Sequence, residues 1–127
     1  MKYAVLSLDV EDWYHLDYFE RGDCDQSYSL LDGLSRYVDV LESMNLKSSF
    51  FVLGELANSL APDLKSLSEG GHDIGCHGWN HSRPLTMDLQ EFEQDLMRSR
   101  DAVADATGQS PTGYRAPCFS LDRTRLE

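Results

Sequence analysis

The chain has 127 residues, 41% of them hydrophobic, which suits one modest domain with its own core and excludes a disordered chain. Its 22 acidic residues against 11 basic ones leave a net charge of -11, which argues against nucleic acid and anionic membranes, since both select Lys and Arg clusters. Three widely spaced cysteines, Cys24, Cys76 and Cys118, form no C-x-x-C pair and so indicate neither a disulfide framework nor a thiolate zinc site.

Residues 3–8 (YAVLSL) are a short apolar run ending at Asp9 and read as a buried strand. The polar and aromatic stretch to Gln26 reads as a long loop. Ser29, with Asp32 three positions on, is a capping pair for a helix in which Leu30, Leu34, Tyr37, Val38, Leu41 and Met44 recur at helical spacing, with Asn45 as its stop. Residues 48–53 (SSFFVL) form a second strand, and Gly54 opens a short helical turn. Pro62 suits the first turn of a helix that Gly70 and Gly71 end. Residues 72–76 (HDIGC) are a brief third strand, followed by a loop over 77–87. Asp88 and Glu91 cap a long helix lined by Leu89, Phe92, Leu96, Arg100 and Val103 and stopped at Gly108. Residues 113–116 read as a fourth strand, and Ser120 as the cap of a last helix. Strands alternating with helices predict an α/β domain with a mainly parallel sheet. No basic segment followed by a long apolar one opens the chain, and no apolar stretch reaches the roughly 20 residues of a membrane span, so a reduced, cytoplasmic protein is expected.

The polar residues fall where such architectures bind ligands, at the carboxyl ends of the strands. Asp9, Glu11 and Asp12 follow the first strand, His77 and His81 the third, and Arg115 sits at the fourth. In HGWNH the two imidazoles are four residues apart, close enough to share a metal, and two histidines with one carboxylate leave a ligand position open, as in catalytic zinc sites. Taken singly, each has a plainer reading: loop histidines, a turn-capping Asp9, solvated loop acids, an Arg115 in a surface salt bridge. Their shared rim and the flanking Trp13 and Tyr14 favour a site. A metal takes one carboxylate, and hydrolysis needs a second as general base. Arg115 in YRAP then orients a carboxylate through a bidentate pair, with Pro117 stiffening the turn. His72 reads as structural, and His15 as a neighbour of the acids.

Together the segments SLDVEDW, GHDIGCHGWNH and YRAPCF resemble the polysaccharide deacetylase family, carbohydrate esterase family 4, over Ser7 to Phe119. The first of them resembles that motif as written in a branch associated with exopolysaccharide deacetylases. The resemblance implies part of a distorted barrel of strand–helix units, and removal of N-acetyl groups from an amino-sugar polymer or oligosaccharide. It implies Asp9 as general base, His77 and His81 as ligands of zinc or another divalent metal, and Arg115 as holder of the base. It also implies that the Cys118 backbone amide stabilises the oxyanion.

Two departures stand out. The family's motif has adjacent aspartates, whereas Val10 follows Asp9 here, so the metal carboxylate is Glu11 or Asp12. Glu11 shares the face of Asp9 on an extended chain. The reading favours Asp12, because a loop should begin there and Asp is the family's usual residue. Second, such barrels have about seven or eight strand–helix units and need about 200 residues. The expectation is therefore that residues 1–127 are the N-terminal, truncated part of a catalytic domain, in the form of a half-barrel. No histidine follows His81 to act as the family's general acid. Open strand edges predict a homodimer, or a partner supplying the rest of the barrel. Other readings are an allantoinase-like hydrolase of a small amide and a non-catalytic half-domain.

Overall fold

The computed structural model describes residues 2–126; the first and last residues of the expected domain lie outside that range. Three parallel strands, β1 (Ser7–Val10), β2 (Ser49–Val52) and β3 (Asp73–Cys76), lie side by side in the order β1-β2-β3. Neighbours in sequence are thus neighbours in space, as along the wall of a barrel; a doubly wound sheet would reverse direction at a switch point. The register aligns Asp9 with Phe51 and Phe51 with Gly75.

Period-two alternation gives the sheet two unlike faces. One carries Val10, Phe50, Val52 and Cys76, all buried beneath helices α1 (Leu34–Ser43), α3 (Ala61–Glu69) and α4 (Leu89–Thr107). Leu34, Leu41, Leu64, Leu67, Val103 and Ala106 complete this core. The other face presents Ser7, Asp9, Ser49, Phe51, Asp73 and Gly75. Here a Cβ on Gly75 would stand 2.9 Å from both the Phe51 ring and the Gly113 carbonyl.

Local chemistry explains the helix ends. Asp88 and Glu91 form the expected capping box on α4, and Gly108 closes that helix in the left-handed region, at φ 74°. Pro62 lies in the first turn of α3. The turn after Gly54 is α2 (Gly54–Ala57). Among the described residues, no helix is long and apolar enough to cross a membrane.

The sequence expectation fails in four places. β1 begins at Ser7, not at Tyr3. Tyr3 and Val5 are exposed, because β2 starts only at Ser49, whose N–H bonds the Leu6 carbonyl. Ser29 does cap, but it caps a 3-10 turn (Leu30–Gly33) ahead of α1. The fourth strand shrinks to one bridge between Cys76 and Tyr114: Cys76 N–H bonds Gly113 O and Arg115 N–H bonds Cys76 O, after which Pro117 turns the chain. The last helix, α5 (Arg123–Leu126), is capped by Asp122, whose Oδ1 accepts from Arg125 N–H at 3.0 Å. Ser120 Oγ–H instead donates back to the Pro117 carbonyl.

Candidate metal centre

The loops leaving β1 and β3 meet at one end of the sheet. In HGWNH, Gly78 takes φ 78° and His81 takes φ 66°, a left-handed backbone that costs a non-glycine residue roughly 1–2 kcal/mol. These two kinks fold the loop so that both imidazoles face β1. Helix α4 braces them from behind: Asp95 accepts from Trp79 N–H at 3.1 Å, Ser99 Oγ–H donates to Gly78 O at 2.9 Å, and the Arg98 guanidinium lies 3.4 Å from the centre of the Trp79 ring.

The carboxylate that meets the imidazoles is Glu11. Its Oε2 is 3.0 Å from His81 Nε2 and 3.4 Å from His77 Nε2, and the three groups form a compact potential ligand set. Both histidines are buried, and Glu11 is partly so. His77 Nδ1–H donates to the Arg115 carbonyl at 2.7 Å, which leaves the Nε2 lone pair facing Glu11.

Glu11 Oε2 is sealed from solvent, yet makes no hydrogen bond of good geometry. Short separations without an aligned hydrogen bond are the arrangement that ligands sharing one ion would take. Zinc bonds of about 2.0–2.1 Å at tetrahedral angles separate ligand atoms by about 3.3 Å, so this N₂O set fits such an ion. Burial raises the Glu11 pKa, but the neighbouring His77 and His81 outweigh it and hold the carboxyl below its ordinary value. Burial alone would lower His77, but Glu11, the Arg115 carbonyl and Asp9 bring it above its ordinary value; for His81 burial prevails and the pKa is lowered.

Asp12, the favoured metal carboxylate, lies elsewhere. The chain does turn there, but the turn directs the side chain inward as the cap of a 3-10 turn (Trp13–His15). It accepts from Trp13 N–H at 2.9 Å, from Leu30 N–H at 3.0 Å and from the Ser29 hydroxyl. Burial raises its pKa, but these bonds, Ser29 foremost, bring it below the ordinary value. His15 Nδ1 accepts from Asp12 N–H at 2.7 Å, and its Nε2 stands 3.2 Å from Glu55 Oε1, so His15 ties this loop to α2. His72 is structural: its Nδ1 accepts from Ser48 N–H and its ring packs edge-on against Phe50.

Asp9 stands beside the ligand set, with Oδ2 3.8 Å from His77 Nε2. Arg115 does hold it, though not as a bidentate pair. Nη1–H donates to Asp9 Oδ1 at 2.5 Å, while Nη2–H donates to Ser7 Oγ at 2.8 Å. The guanidinium lies over the Phe51 ring, 4.1 Å from its centre. Sequence reasoning missed Ser7, Phe51, Asp95 and Ser99. Alternation places Ser7 and Phe51 on the face of Asp9, but only the register brings them to Arg115. Cys118 is exposed in the turn Pro117–Phe119, with φ 53°.

A family model described as polysaccharide deacetylase matches residues 22–127, so the match begins after the acids of the first loop. A peptidoglycan deacetylase of Helicobacter pylori is 31% identical over 95 residues, covering 75% of this chain and 32% of that protein. The peptidoglycan-N-acetylglucosamine deacetylase PgdA of Listeria monocytogenes is 35% identical over 90 residues, covering 71% of this chain and 19% of its own length. Among solved structures, peptidoglycan deacetylase PdaC from Bacillus subtilis superposes with a TM-score of 0.76 at 19% identity, over 96% of this chain and 52% of that one. The chain thus spans about a third or less of these curated relatives and about half of the solved one, and its fold is part of their α/β barrel.

Proposed function

This chain belongs to the polysaccharide deacetylase family, and from that premise we propose that it serves the metal-dependent removal of N-acetyl groups from an amino-sugar polymer or oligosaccharide. The observation that carries the reading is the convergence of Glu11, His77 and His81 on one point, with Asp9 held alongside by Arg115. Glu11, His77 and His81 would hold the ion, and two nitrogens with one oxygen make zinc the first choice. A bound divalent ion supplies Lewis acidity and eases deprotonation of a water.

The chain's own groups do the rest. Arg115 engages Asp9 Oδ1, which leaves Oδ2 on the side of His77, where it accepts the proton of the attacking water. The Arg115 carbonyl keeps the His77 proton on Nδ1, away from the centre. The Cys118 backbone amide is the proposed donor to the oxyanion, carried over from the family's third motif. In the balanced reaction the amide C–N bond breaks as water adds across it: the acetyl carbon gains the hydroxyl, the nitrogen gains the proton that Asp9 took up, and acetate and a free amine result.

The test is acetate release from N-acetylglucosamine oligomers by the zinc-loaded chain and by Asp9→Asn. The variant should keep its metal and lose hydrolysis, because an amide keeps the shape but accepts no proton. Hydrolysis surviving in Asp9→Asn, or metal lost with it, would overturn the role of Asp9.

Self-association, or a partner that continues the sheet, is part of the proposal. Among the described residues β1 pairs only with β2, and the exposed Tyr3, Val5 and Leu6 lead into its open edge. The charge of -11 opposes association only within a Debye length of about 8 Å at physiological salt. Light scattering over a micromolar dilution series should report a dimer. A sharply melting monomer would contradict it.

A further inference from the structure

We propose that Asp95 is a positioning residue for the metal centre: by accepting from the Trp79 N–H it fixes the backbone between His77 and His81, and with it the tightness and geometry of ion binding. This rests on the metal-dependent reading and goes beyond it. Asp95 belongs to α4 and lies outside all three segments that carry the family resemblance.

The loop that carries the two histidines is strained. His81 takes φ 66°, and a non-glycine residue stays in that region only where its surroundings over-determine it. Those surroundings are identifiable, because both polar groups of the peptide joining Gly78 to Trp79 are bonded from outside the loop. The Gly78 carbonyl has two donors, the Gly54 N–H and the Ser99 Oγ–H, each at 2.9 Å. The Trp79 N–H has a single acceptor among the described residues, the Asp95 carboxylate, with Oδ2 at 3.1 Å and Oδ1 at 3.3 Å. Losing Ser99 would leave the carbonyl a partner, whereas losing the Asp95 carboxylate would leave the N–H none. An ionised acceptor also makes the stronger bond.

The Trp79 ring is held in the same conformation. Arg98 of α4 lies 3.4 Å from the ring centre, and a Cβ on Gly54 would stand 2.6 Å from the ring. The Trp79 carbonyl accepts from Glu55 N–H at 3.0 Å. A rotated peptide would carry the ring away from these contacts, so the carboxylate and the ring contacts secure one arrangement of the loop. A mere packing role would rank the residues differently. Ser99 is fully buried and Asp95 only partly so, and packing therefore puts Ser99 first, whereas positioning puts Asp95 first.

The experiment measures zinc affinity by competition with a chromophoric chelator, together with the visible spectrum of the cobalt-loaded chain, which reports ligand geometry. Asp95→Ala should weaken zinc binding about tenfold or more, the scale set by outer partners of metal ligands, and alter the cobalt spectrum. Alanine is the best helix former, so the variant should keep its fold. Asp95→Asn retains an amide oxygen that accepts from the Trp79 N–H, and should bring affinity back to within about threefold and restore the spectrum. Ser99→Ala should weaken binding by no more than about threefold, since the Gly78 carbonyl keeps its other donor. Original affinity and spectrum in Asp95→Ala, with native circular dichroism, would overturn the positioning role. So would equal losses in Asp95→Ala and Asp95→Asn, a larger loss in Ser99→Ala than in Asp95→Ala, or an Asp95→Ala chain that does not fold, which would make Asp95 a residue of stability. An original chain that takes up neither zinc nor cobalt would sink the metal centre itself, a failure distinct from a variant that matches the original.

Discussion

The two faces of the sheet divide the work of the molecule. On the helix-covered face, Val10, Phe50, Val52 and Cys76 are buried among aliphatic side chains. On the opposite face, Asp9, Phe51 and Gly75 sit level with one another, and Arg115 lies over the Phe51 ring and bonds Asp9. Residues adjacent in sequence therefore serve different ends: Phe50 is fully buried in the core, whereas Phe51 is only partly buried and supports a guanidinium. The lesson is that one strand can carry stability and chemistry at once, because its alternation points them in opposite directions.

The two phenylalanines are the sharpest way to break that division. Phe50→Ala should cost about 3–5 kcal/mol in urea unfolding, a large share of a small domain's stability. Phe51→Ala should cost much less, about 1 kcal/mol, since it removes a partly buried ring and one cation–π contact. Its metal content should stay intact while Arg115 loses its platform. Equal costs for the two would mean that the faces are not energetically distinct.

Much of the fold was legible because its signals are local. Asp88 with Glu91 and Gly108 bounded α4 through chemistry within one helical turn, and the SSFFVL run marked β2. The fourth strand misled, since whether residues 113–116 pair depends on neighbours that only Cys76 supplies. In the site, His77 and His81 were legible from their spacing. The carboxylate that meets the imidazoles was not: Asp12 looked better by residue type, but its partners Ser29 and Leu30 lie 17 and 18 positions on. No local pattern announces that a loop will return to cap a turn. Asp95 and Ser99 escaped notice for the same reason, as helix residues whose partners belong to the loop after β3.

The adjacent acids provide the most direct test of the central claim, that Glu11, His77 and His81 form the metal centre. Zinc content per chain should be measured by elemental analysis after dialysis for the original chain, Glu11→Gln and Asp12→Asn. About one ion is expected in the original chain. Glu11→Gln should lose it with its fold intact, while Asp12→Asn should keep it and melt at a lower temperature, having weakened a buried cap. Zinc retained in Glu11→Gln and lost from a folded Asp12→Asn would contradict the account.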